Sequence, residues 1–440
     1  MISRVVLALA LSATPSMTPG MTPAPPGVAA RQPCPVAMPP RTTCAFLEVP
    51  ERRDVPGRTI KVAYAVRVAG VDRGNDPVVL MGEEPGPTSM ETMSVLSAMF
   101  PDRDVVTVEQ RGGRLSEPSL GCPETAQALL GRLRRPSADK GAAVSADERA
   151  AVSADVGAAV SADVGADVGA AAVRCRERLQ EQGIDLRGYR AQEMAADVVA
   201  VREELGYDAW HLFGVGSSTR VMAAVAAADP GGVRSMVLDS FQAPGAAGDA
   251  STERDHDGAE HDHYGADRDH DGVERGLGGA LARLGVAERF AAVRARLNAS
   301  PARVPATDPV AARAFTAEVT GDDLAAIMAE ALRGADVAAV APALVGGLAE
   351  GRDELLRPLV DAAGERMAAR VWGLYHAVQC QDEVPFGTSA TSTASAASIP
   401  RSRLFTINAD KAVCDAWQVP RSEPSNTTPA APAYVLSGRY

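Results

Sequence analysis

The sequence predicts an α/β protein with a mostly parallel sheet and helices on both faces. Short apolar runs ending at glycine-rich turns, Pro77–Met81 and Asp104–Val108, read as strands buried on both sides. Between and after such runs, apolar residues recur at helical spacing, as Met194, Val198, Val201 and Leu205 do before Gly206. The two patterns alternate along the chain, and crossover helices between strands give a parallel sheet.

In chain order, Arg4, the apolar run Val5–Leu11 and the small pair Ser12–Ala13 form an export signal over residues 1–13. Residues 14–40, rich in Pro, Thr and Met, read as a linker. Thr59–Val68 alternates and predicts a half-exposed strand. Residues 143–166 repeat an eight-residue unit (AVSADERA, AVSADVGA, AVSADVGA). Three such copies bury too little to stack as a solenoid, so they predict a surface loop or weak helix. A strand follows at Ala209–Phe213, then a tight turn at Gly214–Ser218. A small-residue helix over Thr219–Ala228 is stopped by Pro230, and Val233–Leu238 reads as the next strand. Residues 252–275 form an Asp/His-rich insertion and 276–378 read as mainly helical. Thr388–Ser398 reads as a loop, and Ala433–Tyr440 as a strand that runs to the last residue.

Composition narrows the function. The 440 residues carry 56 acidic and 44 basic side chains, a net charge of −12, which argues against a nucleic-acid partner. No run of about 18 apolar residues exists, so no membrane span is expected. The six cysteines, Cys34, Cys44, Cys122, Cys175, Cys380 and Cys414, fit disulfides in an exported, extracellular or wall-associated chain. Neighbour pairing (34–44, 122–175, 380–414) is the simplest of about 15 arrangements. With no C-x-x-C pair, a zinc site is not expected. His256, His261, His263 and His270 lie among aspartates and glycines with no apolar anchor, so this tract reads as a solvated acidic loop rather than a metal site.

Four stretches carry a family likeness. They are PVVLMGEEPGP; RDVVTVEQRGGRLSEPSLGCPE; the segment from Cys175 to Arg220 with VRSMVLDS after it; and GLYHAVQCQDEVPF. Together they resemble the secreted α/β-hydrolase-fold aminopeptidases of high-G+C bacteria, of the prolyl- and tripeptidyl-aminopeptidase type. The likeness implies a hydrolase core over residues 41–240, a helical cap over 241–378 and a return to the core over 379–440. It also implies that the carboxyl-terminal part of the fold is missing. No cofactor is implied. The family's chemistry is peptide-bond hydrolysis through an acyl-enzyme.

The catalytic elements depart from that pattern. The family's nucleophile is the Ser of G-x-S-x-G, on a sharp strand-to-helix turn, the nucleophile elbow, flanked by small residues. Here the matching position is Gly216, flanked by Gly214 and Ser218. Ser217 and Ser218 read as helix-capping residues rather than substitutes. The oxyanion-hole positions fall on Glu84 and Ser217, and Glu83 and Glu84 occupy places where the family has glycines. A carboxylate there opposes a developing oxyanion. The family's Asp and His fall beyond Tyr440, and His211 and His376 read as structural. The expectation is an aminopeptidase-like chain inactive as written, taking a peptide or a small ester or amide at most. The alternative is a secreted, non-catalytic binding protein on the same scaffold. A third reading is a live hydrolase using Ser217 or Ser218.

Overall fold

Two long antiparallel strands, Thr42–Pro50 (β1) and Thr59–Arg67 (β2), start the sheet, with Thr42 opposite Arg67 and Pro50 opposite Thr59. The computed structural model describes residues 33–71, 74–82, 88–134, 167–241, 270–332, 335–383, 413–422 and 431–436. The expected signal, the eight-residue repeat and the loop at 388–398 lie outside them. So does the Asp/His-rich insertion, apart from the backbone of its last residues.

The apolar runs become Val78–Met81 (β3) and Val105–Val108 (β4), each buried along its whole length. Trp210–Val215 (β5), Val233–Asp239 (β6) and Ala433–Leu436 (β9) complete the sheet. Among the described residues the order is β1-β2-β4-β3-β5-β6-β9. β2 runs antiparallel to β4, and β4, β3, β5, β6 and β9 are mutually parallel. β2 is not half-exposed as its alternation predicts. Lying between β1 and β4, it is covered on both faces, and Ile60, Val62, Ala63, Tyr64, Ala65 and Val66 are all buried.

Helices cover the sheet. In chain order they begin with Met93–Met99 (α1), Pro123–Arg134 (α2) and 167–181 (α3). Ala191–Leu205 (α4) and Ser218–Ala228 (α5) then flank β5. α4 turns Met194, Val198 and Val201 into the core and ends at Gly206, whose φ of 70° is the left-handed cap that a side chain would strain.

Residues 270–383 add His270–Arg283 (α6), Ala287–Ala299 (α7), Gly321–Ala331 (α8), Ala335–Ala349 (α9), Arg357–Ala369 (α10) and Trp372–Val378 (α11). Within this mainly helical stretch stands an unexpected hairpin, Ala302–Asp308 (β7) with Arg313–Val319 (β8). Its inward residues on β7 are Ala302, Val304, Ala306 and Asp308. They alternate faithfully, but two are alanines and one a carboxylate, so the apolar signal is weak.

All six cysteines pair as neighbours. Cα separations are 5.2 Å for Cys34–Cys44, 5.6 Å for Cys122–Cys175 and 5.1 Å for Cys380–Cys414, ordinary for disulfides. The first holds residues 33–38, at the end of the stretch whose composition reads as linker. There Cys34, Val36 and Met38 pack on a small apolar cluster with Phe46 and Phe100. Among the described residues no helix is long and apolar enough to cross a membrane.

Candidate functional site

In open parallel sheets ligands sit beyond the carboxyl ends of the strands. Here those ends are Met81, Val108, Val215 and Asp239. The β5-to-α5 turn, the elbow of the sequence comparison, has backbone geometry suited to presenting a residue there. Gly216 is buried with φ 54°, a conformation that favours glycine and strains other residues. Its N–H donates to Asp239 O at 2.9 Å. Its carbonyl accepts from Thr219 N–H at 3.1 Å and Thr219 Oγ1 at 2.6 Å. Gly214 lets the helix close on the strand: a Cβ there would lie 3.0 Å from Thr219 Cα and 3.1 Å from Met222 Cγ. The small residue two before Gly216 therefore has a steric reason.

The two serines after Gly216 differ in setting. Ser218 is fully buried as the first residue of α5. Its Oγ accepts Val215 N–H at 2.8 Å and has two carbonyls within donating distance, Met81 O at 2.7 Å and Val215 O at 2.9 Å, so the hydroxyl is engaged by backbone. Ser217 is half-buried at the helix N-cap position and makes no side-chain capping bond. It does not cap the helix as its position suggests, because its own backbone is already helical (φ −61°, ψ −29°). An N-cap residue reaches back from an extended conformation.

Glu83 and Glu84 lie outside the described residues, but both flanks of their segment are anchored. Gly82 N–H donates to Ser89 Oγ at 2.8 Å, and Gln110 Nε2 donates to Gly82 O at 3.1 Å. Next to Gln110, Glu109 is only 2% exposed and accepts Met90 N–H at 2.8 Å. Burial pushes its carboxyl up to about 7, against the opposing pull of the Met90 and Ser89 backbone groups.

Behind this end of the sheet lies a buried charge network. Arg111, fully buried, grips Asp197 through Nε (2.7 Å) and Nη2 (2.6 Å). It also donates to Glu51 O at 2.7 Å and Gly188 O at 2.9 Å. Arg53 adds bonds to Asp197 (2.6 Å) and Glu193 (2.7 Å), and Tyr189 OH donates to Glu51 Oε1 at 2.7 Å. Each of these guanidinium and carboxylate groups has a partner, and the network joins the β1 end, the turn after β4 and the start of α4.

His211 and His376, the histidines whose surroundings are described, are both held by neighbouring side chains. His211 Nδ1 bonds Ser235 Oγ at 2.8 Å across β5 and β6. Burial, helped by Arg103, depresses its protonation. His376 sits on α11 among Trp372, Tyr375 and Trp417, 1% exposed, far along the chain from the elbow. Cys122, Glu124 and Cys175 lie close together, but the cysteines are oxidised and Glu124 pairs with Arg178 at 2.7 Å, which leaves no ligand set for a metal. A cavity of about 280 Å³ lined by Asp308, Asp361 and Glu365 lies on the β7–β8 hairpin and α10, not at the elbow.

The sequence alone missed three groups at this end of the sheet: Glu109, Asp239 and Ser240. Asp239 takes part through its backbone, and Ser240 adopts φ 58° beside it, donating to Asp239 Oδ1 at 3.2 Å. An acidic residue closing a strand was the available signal in both Val105–Glu109 and Val233–Asp239.

Strand order, an antiparallel second strand and a glycine-flanked strand–turn–helix after β5 define the α/β-hydrolase fold. Neither a family model nor a curated protein matches the chain. Similar solved structures include a probable hydrolytic enzyme from Pseudomonas aeruginosa PAO1, at 14% identity and TM-score 0.27, covering 46% of this chain and 42% of that one. Epoxide hydrolase A from Mycobacterium thermoresistibile is similar at 13% identity and TM-score 0.25, covering 46% and 41%. An epoxide hydrolase from Vigna radiata is similar at 14% identity and TM-score 0.24, covering 46% and 42%. The match spans less than half the length of each of these proteins, and the fold rests on topology rather than on these overlaps.

Proposed function

We propose that this chain is an exported relative of the serine aminopeptidases that keeps their nucleophile turn without their nucleophile, and that it does not carry out acyl transfer. The observation that carries the reading is Gly216. It occupies the turn residue with φ 54°, where the chemistry needs a hydroxyl, and offers no side chain. The bonding of Ser218 supports it, since that hydroxyl is already engaged by the Met81 and Val215 backbone. Loss of a triad nucleophile costs on the order of 10⁶ in kcat in serine peptidases. Three disulfides using every cysteine support export.

The alternative, a non-catalytic binding protein, is favoured by the intact backbone of the turn: Gly216 and Thr219 retain a closed set of hydrogen bonds. Its ligand would be a peptide or a small ester or amide. Three measurements test these readings. A serine-reactive phosphonate followed by peptide mapping should label nothing, and turnover of aminoacyl-prolyl and tripeptide anilides should stay at background. Label on Ser217, lost in Ser217→Ala together with anilide turnover, would overturn the proposal. Calorimetric binding of the same anilides without turnover selects the binding protein.

A further inference from the structure

One peptide group joins the elbow to the edge of the sheet. The Asp239 carbonyl accepts Gly216 N–H at 2.9 Å, and the other end of the same peptide, Ser240 N–H, donates to Leu436 O at 2.8 Å. The elbow after β5, the end of β6 and the end of β9 therefore share one hydrogen-bonded chain. Gly216 and Ser240 both have positive φ, 54° and 58°. Glycine takes such an angle freely, whereas a residue with a Cβ is strained there.

Two bonds hold Ser240 in that conformation. Its Oγ donates to Asp239 Oδ1 at 3.2 Å, a contact within the turn itself, and its N–H reaches Leu436 O on β9. Phe241, the next residue, packs against the main core and fixes the chain beyond. Once Leu436 withdraws, the strain at Ser240 is relieved by turning the peptide before it, whose carbonyl holds Gly216. β9 is the strand best able to withdraw. Among the described strands it pairs with β6 alone, at the end of the sheet. Tyr434 and Val435, which alternate onto opposite faces, are 67% and 53% exposed, so little apolar burial secures it. Segments held this lightly open before the rest of a fold.

We propose that β9 is a conformational device for the elbow: seated, it holds Ser240 left-handed and with it the hydrogen bond that fixes Gly216; unseated, it lets the 239–240 peptide turn and frees the elbow. The two states differ in one strand pairing and one backbone strain, and both converge on a single peptide group. The device stands whether the elbow reacts or only binds.

Residue-resolved hydrogen exchange of the full chain tests it. The carbonyls of Pro432 and Leu436 accept from β6, so by strand alternation Tyr434 N–H faces β6 and Val435 N–H faces the outer edge. Tyr434→Pro therefore breaks the pairing, while Val435→Pro removes a donor the pairing does not use. Tyr434→Pro should speed exchange of both Ser240 and Gly216 at least about ten-fold and leave Val79 and Leu80 of β3 unchanged. Val435→Pro should leave Ser240 and Gly216 slow. Adding Ser240→Gly to Tyr434→Pro, which removes the strain, should return Gly216 to slow exchange. In either single variant, one of Ser240 and Gly216 fast while the other stays slow overturns the proposal, as does a double variant in which Gly216 remains fast. Should Tyr434→Pro not fold, the wild type in low denaturant decides: Ser240 and Gly216 must open together and before Leu212 of β5, and Gly216 opening only with Leu212 refutes the device.

Discussion

His376 gives the most direct test of how this core responds to acid. Its imidazole is 1% exposed, and neither ring nitrogen has a hydrogen-bond partner among the described residues. Its ring neighbours are Trp372 at 5.7 Å, Tyr375 at 5.3 Å and Trp417 at 5.7 Å between centroids. Burial, aided by the Arg370 guanidinium stacked on Trp372 and Tyr375, pushes its pKa down from 6.5 to about 3. The folded state therefore binds the proton more weakly than the unfolded one. The stability His376 contributes is complete above pH 6.5 and is lost as pH falls toward 3. From pH 7.5 to 4.5 the loss is about 2–3 kcal/mol, at ~1.4 kcal/mol for each pH unit crossed below the ordinary imidazole value. His376→Phe keeps a ring in the cage and removes the titration. Urea unfolding of both proteins at the two pH values isolates the effect, because other groups, including the oppositely signed Glu109, cancel in the difference. The variant should lose about 2–3 kcal/mol less than the wild type on acidification. Equal losses in the two proteins would refute the reasoning, whatever Phe does to packing at pH 7.5.

Three further outcomes follow from named contacts. Asp197→Asn leaves the buried Arg111 and the half-buried Arg53 short of charge and should cost about 3–5 kcal/mol in chemical denaturation; a change under ~1 kcal/mol would show that water screens the pair. Removing the Cys122–Cys175 bridge by a double Ala substitution releases a closure over 53 residues and should lower stability by up to ~4 kcal/mol in the chain-entropy picture, read as a drop in urea midpoint. Gly206→Ala has open space for its methyl group, so its cost of about 1 kcal/mol is the backbone strain at φ 70° alone; a neutral thermal shift would contradict that.

Sequence alone determined the alternation of strands and helices, because the apolar runs of β3 and β4 and the helical spacing of α4 are local signals that burial only reinforces. It also located the turn at Gly214–Ser218 and the simplest pairing of the cysteines. Other features needed the tertiary structure. β2 alternates like an exposed strand, yet the chain places it inside the sheet, since strand order is set by crossover connections and not by local pattern. The β7–β8 hairpin was hidden because alanine and a paired aspartate carry its inward face. Ser218 reads as a helix cap in sequence. Only the approach of β3 to β5 brings Met81 O within reach of its hydroxyl. Glu109 reads as one more surface-type carboxylate at a strand end; what buries it is a helix start that follows a different strand. Charges and hydroxyls take their chemical state from groups distant in the chain, and that is why the frame of this protein is legible in its residues while the condition of its site is not.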